Sequence, residues 1–410
     1  MRTGFFAVVV ATIAMGAFTT ALVGACASNE ATALDDGTDG ALGEAGAIDA
    51  GEPGDDAPSA APCEDCEYFP AACTDDVLCA NGPFENGGLD PRTQITTIVG
   101  RGASDVWVAG GLGAVARFDG AKWTRLELGS KETLAGLWLT DGAVTSVVSL
   151  TRLYGRDDDT GGTGGGWSLH ESPTRPPAYD WWTRTLHSTW AASSSPWIWG
   201  ATENDCRALE CLFDKELRPS GVWRLRRSPD SSEASFEIHD GILPDDCQEL
   251  RCGNMTAIHG WSPNELWAVG NLGATIRITN AESETPTARA FNSQTWAAFH
   301  AVWSASASDA WAVGTGGLVR HYTGHPTRWD VVSDVPTLQD LRAVSGSSPS
   351  DVWAVGDEGV VLHYDGKAWS RVKIAGLGRR RPKLSAVWVA APGHVWIGGQ
   401  GVVLTLGGKP

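Results

Sequence analysis

One motif recurs along this chain, and the recurrence restricts the fold more than any other feature. Its clearest copy is LRAVSGSSPSDVWAVGDEGVVLHYDGKAWSRV at 341–372. Further copies lie at 299–332, 255–278, 95–126 and 384–406, each built around a Trp in a D-V-W-A-V-G-like run. These marker residues are Trp107, Trp267, Trp311, Trp353 and Trp396, and the last four are 44, 42 and 43 residues apart. Two degenerate copies fill the remaining gap. One runs from LAGLWLTDGAVTSVVSL at 134–150 to GGWSL at 165–169; the other begins LHSTWAASSSPWIWG at 186–200, with Trp197 at the marker position. That makes seven units.

Each unit reads as four short strands. Strand A is the L-x-A-V segment, strand B is DVWAVG, strand C is VVLHYDG and strand D carries a second Trp, as in Trp123, Trp329 and Trp369. Glycines three apart follow strand B: Gly110 and Gly113, Gly270 and Gly273, Gly314 and Gly317, Gly356 and Gly359, Gly398 and Gly401. That spacing suits a tight B–C hairpin needing positive φ. Asp119-Gly120 and Asp365-Gly366 mark C–D turns. A period of 40–45 residues with four strands is the blade of a β-propeller, so an all-β, seven-bladed propeller is expected over 91–410. A Trp placed once per blade serves inter-blade packing, since a catalytic residue need occur only once. The last unit lacks a fourth strand, and an open edge is a liability. Residues 83–94 are expected to pair there and close the ring.

The N-terminal part has a different character. Arg2 and an uncharged apolar run from Phe5 to Val23 lead into LVGAC. This resembles a bacterial lipoprotein signal, which implies a signal peptide over 1–25 and lipid on the Cys26 thiol. An uncleaved helical anchor is the alternative, since about 20 apolar residues span a bilayer. Residues 26–62 hold almost no large apolar side chain and are expected to form a flexible acidic spacer. Residues 27–90 carry 16 acidic residues and no Lys or Arg, whereas 91–410 carry 33 acidic and 30 basic ones. The net charge of −18 therefore belongs mainly to the tail. An acidic tail and a body with no basic, aromatic-lined groove argue against nucleic-acid binding.

There are nine Cys, and setting Cys26 aside leaves two clusters of four. Cys63, Cys66, Cys73 and Cys79 form a Cys-rich segment over 63–90. In an exported chain disulfides are the expected state. A zinc site is the alternative, although the C-x₅-C half suits zinc poorly. Cys206, Cys211, Cys247 and Cys252 stand in two copies of D-C-x₄-C, which can close locally or cross-link to each other.

The runs Y-D-G-x-x-W at Tyr364–Trp369 and F-D-G-x-x-W at Phe118–Trp123 resemble a degenerate Asp-box. Over 95–406 the units are similar to propellers of the BNR, sortilin and photosystem-assembly-factor type, and are WD-repeat-like in length. The full box has Ser or Thr before the Asp, where this chain has His363 or Arg117. The resemblance implies a binding or assembly platform. Some such relatives are sialidases, and pilus-tip adhesins carry such propellers.

No catalytic constellation stands out. A sialidase needs an arginine cluster, a Tyr with a carboxylate, and an acid, but only five Tyr exist, and Tyr322 and Tyr364 are repeat-equivalent. His321 and His363 are repeat-equivalent too, which argues for structure over metal. GTGGLV at 314–319 precedes a strand, not the helix N-terminus a phosphate loop needs. Asp157, Asp158 and Asp159 lack the alternating ligand pattern of a calcium loop. No metal and no cofactor are expected.

In an up-and-down blade, B–C hairpins and D–A connectors emerge on one face. The insertions 201–220, 241–254, 171–185 and 375–383 all fall there. Scaffolds carry function on such loops, so this face is expected to bind a protein or a glycan. Tyr179, Trp181 and Trp182 would anchor it, and Arg379, Arg380 and Arg381 would meet an anion; packing under loops and plain solvation are the alternative roles. The expected protein is a monomeric, lipid-anchored, non-enzymatic platform at the cell envelope, on the periplasmic or cell-surface face of the outer membrane. Its partner is an envelope protein or a glycan. The alternative is a glycan-active hydrolase or lyase, favoured if three or more ionisable residues converge in the central funnel.

Overall fold

The computed structural model describes residues 65–84, 88–140, 143–157, 166–171, 182–206, 220–227 and 236–409. They form seven four-stranded antiparallel sheets. Blade 6 shows the plan: strand A is Leu341–Ser348, B is Asp351–Gly356, C is Val361–Tyr364 and D is Trp369–Arg371. Strand B is buried at every residue after Asp351. Its apolar run does not alternate because neighbouring blades cover both of its faces. The other A strands are Ile95–Gly102, Gly136–Thr140, Trp182–Trp190, Met255–Ser262, Phe299–Ser306 and Leu384–Ala391. Each touches the A strand of the next blade, and the seventh touches the first, so the ring is closed. The chain is a seven-bladed β-propeller.

The marker Trp residues do the inter-blade packing. None is more than 4 % exposed. Trp311 of blade 5 lies 4.8 Å from Tyr364 and 5.3 Å from Trp369 of blade 6. Trp267 meets Tyr322 and Trp329 in the same way, and Trp396 meets Phe118 and Trp123. Burying an indole removes roughly 150–250 Å² from water, about 4–6 kcal/mol gross before ordering costs. A polar pair accompanies most markers. An acid two residues before the Trp meets a base on strand C: Asp105 with Arg117, Glu265 with Arg277, Asp309 with His321, Asp351 with His363. The base lies over the indole, His321 at 3.8 Å from Trp311 and Arg117 at 5.3 Å from Trp107. The repeat-equivalent histidines are therefore structural. The repeat-equivalent Tyr322 and Tyr364 are likewise part of the inter-blade contact.

The recurring glycines have two different jobs. The second of each pair adopts positive φ, as in Gly113 at 68° and Gly359 at 66°. The first is extended and needed for closeness: a Cβ on Gly110 would sit 2.1 Å from the Gln94 carbonyl oxygen. The residue before the second glycine is also left-handed, at Leu112, Leu272, Gly316 and Glu358. In blade 7 the turn is one residue shorter. Gly399, not Gly398, takes the close-approach position, with the Lys383 carbonyl oxygen 2.4 Å from a built Cβ.

Closure comes from an N-terminal strand, but not from 83–94. Leu78–Ala80 pairs antiparallel with Val402–Leu406 and supplies the fourth strand of blade 7. Pro83 and Pro91 withhold ladder donors from the segment expected to do this. The Leu89 N–H instead bonds the Pro83 carbonyl and the Thr93 N–H bonds that of Asp90. The closing strand comes from inside the Cys-rich segment. The Cys73–Cys79 disulfide sits at its edge, and Cys66 is also disulfide-bonded. Cys63 and Cys26 lie outside the described residues, as do the signal and spacer. Among the described residues no helix is long and apolar enough to cross a membrane.

Candidate functional site

Chain order leaves 207–221 as a B–C connection and 172–181, 241–254 and 375–383 within D–A connectors, while residues 201–206 and 182–185 of the expected insertions belong to strands B and A of blade 3. Three of the four border blade 3. The Arg run sits between blades 6 and 7, three blade steps away, so the ring separates it from Trp182. Trp182 opens strand A of blade 3. Tyr179, Trp181 and Cys211 lie outside the described residues, and Cys206 is the last residue of strand B. Asp157 ends a strand, and the rest of its acidic run is outside the described residues.

The three arginines do not act as a unit. Arg381 is turned inward, its side chain 16 % exposed, paired with Asp65 at 3.2 Å and lying 3.5 Å over the Phe69 ring. It fixes the Cys-rich segment to blade 7. Hydrogen bonding to Arg381 holds the Asp65 carboxyl below its ordinary range. Arg380 donates to the Gln400 carbonyl at 3.0 Å. Arg379 is exposed.

The 241–254 connector walls a groove. It folds as helix α1, Pro244–Leu250, with Pro at its start and Arg251 in a left-handed cap at φ 58°. Cys247 and Cys252 are joined across this cap, so this D-C-x₄-C copy closes locally. The Gly221 N–H bonds the Cys252 carbonyl and ties the helix to blade 3. Beside α1 runs a groove of about 740 Å³, walled by the Asn271–Gly273 turn and the 290–296 connector. That size is usual for a ligand site. The connector is held from below by buried Arg320, which donates to the carbonyls of Ser293 at 2.7 Å and Gln294 at 3.2 Å. Burial pushes the Arg320 guanidinium pKa down. Asn292, Gln294 and Trp296 alternate outward while Ser293 is buried.

A second cavity, about 440 Å³, is the central channel lined by the A strands. Near the B–C face, strand A bulges after its first residue in five blades, and after Leu186 within the longer strand A of blade 3. A bulge re-aims one side chain. In blades 1, 4 and 7 that residue is Thr96, Thr256 or Ser385, whose hydroxyl donates to a carbonyl of the next blade, Leu134, Phe299 or Ile95. In blades 3, 5 and 6 it is His187, His300 or Arg342. Arg342 bonds Asp357 at 2.6 Å and Asp340 at 3.0 Å, with His300 at 3.2 Å. The Arg342 hydrogen bond pulls the Asp357 pKa down, and burial lowers that of His300. His187 meets Glu203 at 3.1 Å, and Glu203 accepts from Asn271. Deeper in the channel, between Trp190 and Trp303, burial pushes His259 down to about 4.

Neither cluster was among the residues expected from sequence. The channel cluster had a usable signal: LHST, FHAV and LRAV break the T or S pattern of ITTI, MTAI and LSAV at one position. The groove had a weaker one, the run N-S-Q-T-W at 292–296 just after a blade ends. Among the described residues no cluster of three or more His, Cys, Asp or Glu could hold a metal ion.

No protein-family model and no curated protein matches this sequence. Solved structures do. YCF48 bound to D1 peptide superposes with a TM-score of 0.54 at 15 % identity, over 82 % of this chain and 96 % of that one. The extracellular domain of a B. thetaiotaomicron hybrid two-component system gives 0.54 at 13 % identity, over 82 % of this chain and 41 % of that one. A streptogramin B lyase gives 0.54 at 13 %, over 78 % and 95 %. The likeness is one of fold. These neighbours pair one scaffold with binding in one case and lyase chemistry in another, so the function must be argued from the site.

Proposed function

We propose that this protein is an exported lipoprotein, anchored through Cys26 at the cell envelope, whose propeller is a non-enzymatic binding platform. The B–C and D–A face is the binding face. One observation carries this reading. Eight large apolar side chains are exposed among the described residues, and five of them, Leu112, Leu243, Leu272, Trp296 and Leu338, belong to B–C turns or D–A connectors. Only Trp261 lies by an A–B hairpin, and Leu169 and Val331 are on outer D strands. Apolar exposure concentrated on one face marks an interaction surface.

The test is retention of purified protein on envelope material. Leu272→Ser with Leu338→Ser should lose retention, while Trp261→Ser on the opposite face should keep it; equal retention by all three refutes the face assignment. Anchoring is tested separately by fatty-acid labelling, which Cys26→Ser should abolish. A second reading, a glycan-active hydrolase or lyase, draws on the convergence of His300, Arg342, Asp340 and Asp357 at the channel mouth. It requires cleavage of an envelope glycan that His300→Ala abolishes. Against it, the Arg342 guanidinium is already engaged by both carboxylates.

A further inference from the structure

We infer that the groove beside α1 binds an uncharged oligosaccharide, an inference that rests on the face assignment above and makes it specific. The lining is the first argument. Gln248, Asn271, Asn292 and Gln294 contribute amides, and Arg251 is the one charged side chain in the wall. Their inward bonds leave both kinds of group over. The Asn292 side-chain oxygen accepts the Gln294 N–H at 2.8 Å, so its NH₂ has no partner among the described residues. The Gln294 NH₂ donates to the Trp329 carbonyl at 2.6 Å and the Asn271 NH₂ to Glu203 at 2.9 Å, so each keeps its amide oxygen. A wall offering neutral donors and acceptors side by side matches hydroxyl groups, each of which donates and accepts.

Trp296 is the second argument. Its indole is 72 % exposed although it lines the groove. Among the described residues it belongs to none of the packed clusters and makes no ring contact. An exposed indole beside amides offers an apolar plate for the C–H face of a pyranose. The third argument is rigidity. Arg320 and the Trp329 pairing hold the 291–296 connector in place, so little ordering cost attends binding. A peptide added as a strand is disfavoured, because the Asn292 N–H and C=O already bond Thr327 and Trp329.

The experiment is calorimetric titration of the full chain with maltohexaose, cellohexaose and N-acetylchitohexaose, with oligogalacturonate as the anionic control. At least one uncharged probe should bind, Trp296→Ala should weaken it about tenfold or more, and Trp296→Phe should retain part of the affinity. Gln294→Ala should weaken it independently. Melting temperatures of the Trp296 variants should match the parent, since the side chain is unburied. Absence of binding by all three uncharged probes, preference for the anionic one, or equal binding by Trp296→Ala overturns the inference. If envelope retention depends on Leu272 and Leu338 while no sugar binds, the face assignment stands and the glycan inference falls.

Discussion

The ring depends on a three-residue strand, and its removal should be costly out of proportion to its length. Leu78 is fully buried among Trp353, Ile374, Leu384, Val402 and Leu404, which come from blades 6 and 7 and the connector between them. Its N–H donates to the Lys373 carbonyl at 2.9 Å and its carbonyl accepts from Ala375 at 2.8 Å, on the side away from Val402–Leu406. The strand is thus bonded on both edges. Truncating Leu78 to Ala leaves a cavity that neither blade can fill without moving, at a cost of about 3 kcal/mol. The Cys73–Cys79 bridge spans six residues; loop-closure entropy gives it about 2 kcal/mol. Guanidinium unfolding of Leu78→Ala, of Cys73→Ser with Cys79→Ser, and of all three together measures both terms. The sum should not be additive, because the sites adjoin. The control is Leu338→Ala, 89 % exposed, which should change stability by less than about 0.5 kcal/mol. A Leu78→Ala midpoint indistinguishable from that control, at unchanged slope, would show that closure does not rest on this strand.

Two further expectations follow from single residues. His259 has its pKa lowered from 6.5 to about 4 by burial, so the unfolded chain takes up the proton first; stability is intact above the unfolded value and falls as pH drops between the two, by up to about 3 kcal/mol. His259→Gln should flatten the stability–pH curve in that window, and an unchanged slope would contradict the assignment. Gly356→Ala places a methyl 2.0 Å from the Asp340 carbonyl oxygen, whereas Gly102→Ala meets nothing within 4 Å; thermal denaturation should show the first losing about 2 kcal/mol or more and the second little.

Much of this architecture was legible because it repeats. Seven copies of one pattern specified seven blades, and the once-per-blade rule identified Trp107 through Trp396, His321 and His363 as structural. The closing strand was not legible, since Leu-Cys-Ala is too short to show a period and its partners lie over 300 residues away in sequence. The Gly pairs were legible as turns, but not the division between closeness at Gly110 and positive φ at Gly113, which only the Gln94 carbonyl reveals. The Arg379–Arg381 run read as one charged patch. Tertiary structure splits it because Phe69 and Asp65 approach from the N-terminal segment and take Arg381.

The two faces of the ring are under different constraints, and the repeat itself shows it. The A–B hairpins read GASD, SPNE, SASD and SPSD in blades 1, 4, 5 and 6: one short turn used over and over, with little exposed apolar surface. On the opposite face the connectors differ in length, one carries a disulfide-closed helix, and the exposed Leu and Trp residues gather. The bulge position in strand A follows the same division. Where it is Thr or Ser, the hydroxyl latches onto the next blade, so a latch was available to every blade. Blades 3, 5 and 6 hold His187, His300 and Arg342 instead, replacing a single neutral bond with ionisable groups that stand beside Glu203, Asp340 and Asp357. A burden confined to three blades and to the end of the channel that opens on the irregular face is not explained by holding a ring together. It is the pattern expected if that face as a whole, groove and channel mouth together, meets something outside the protein.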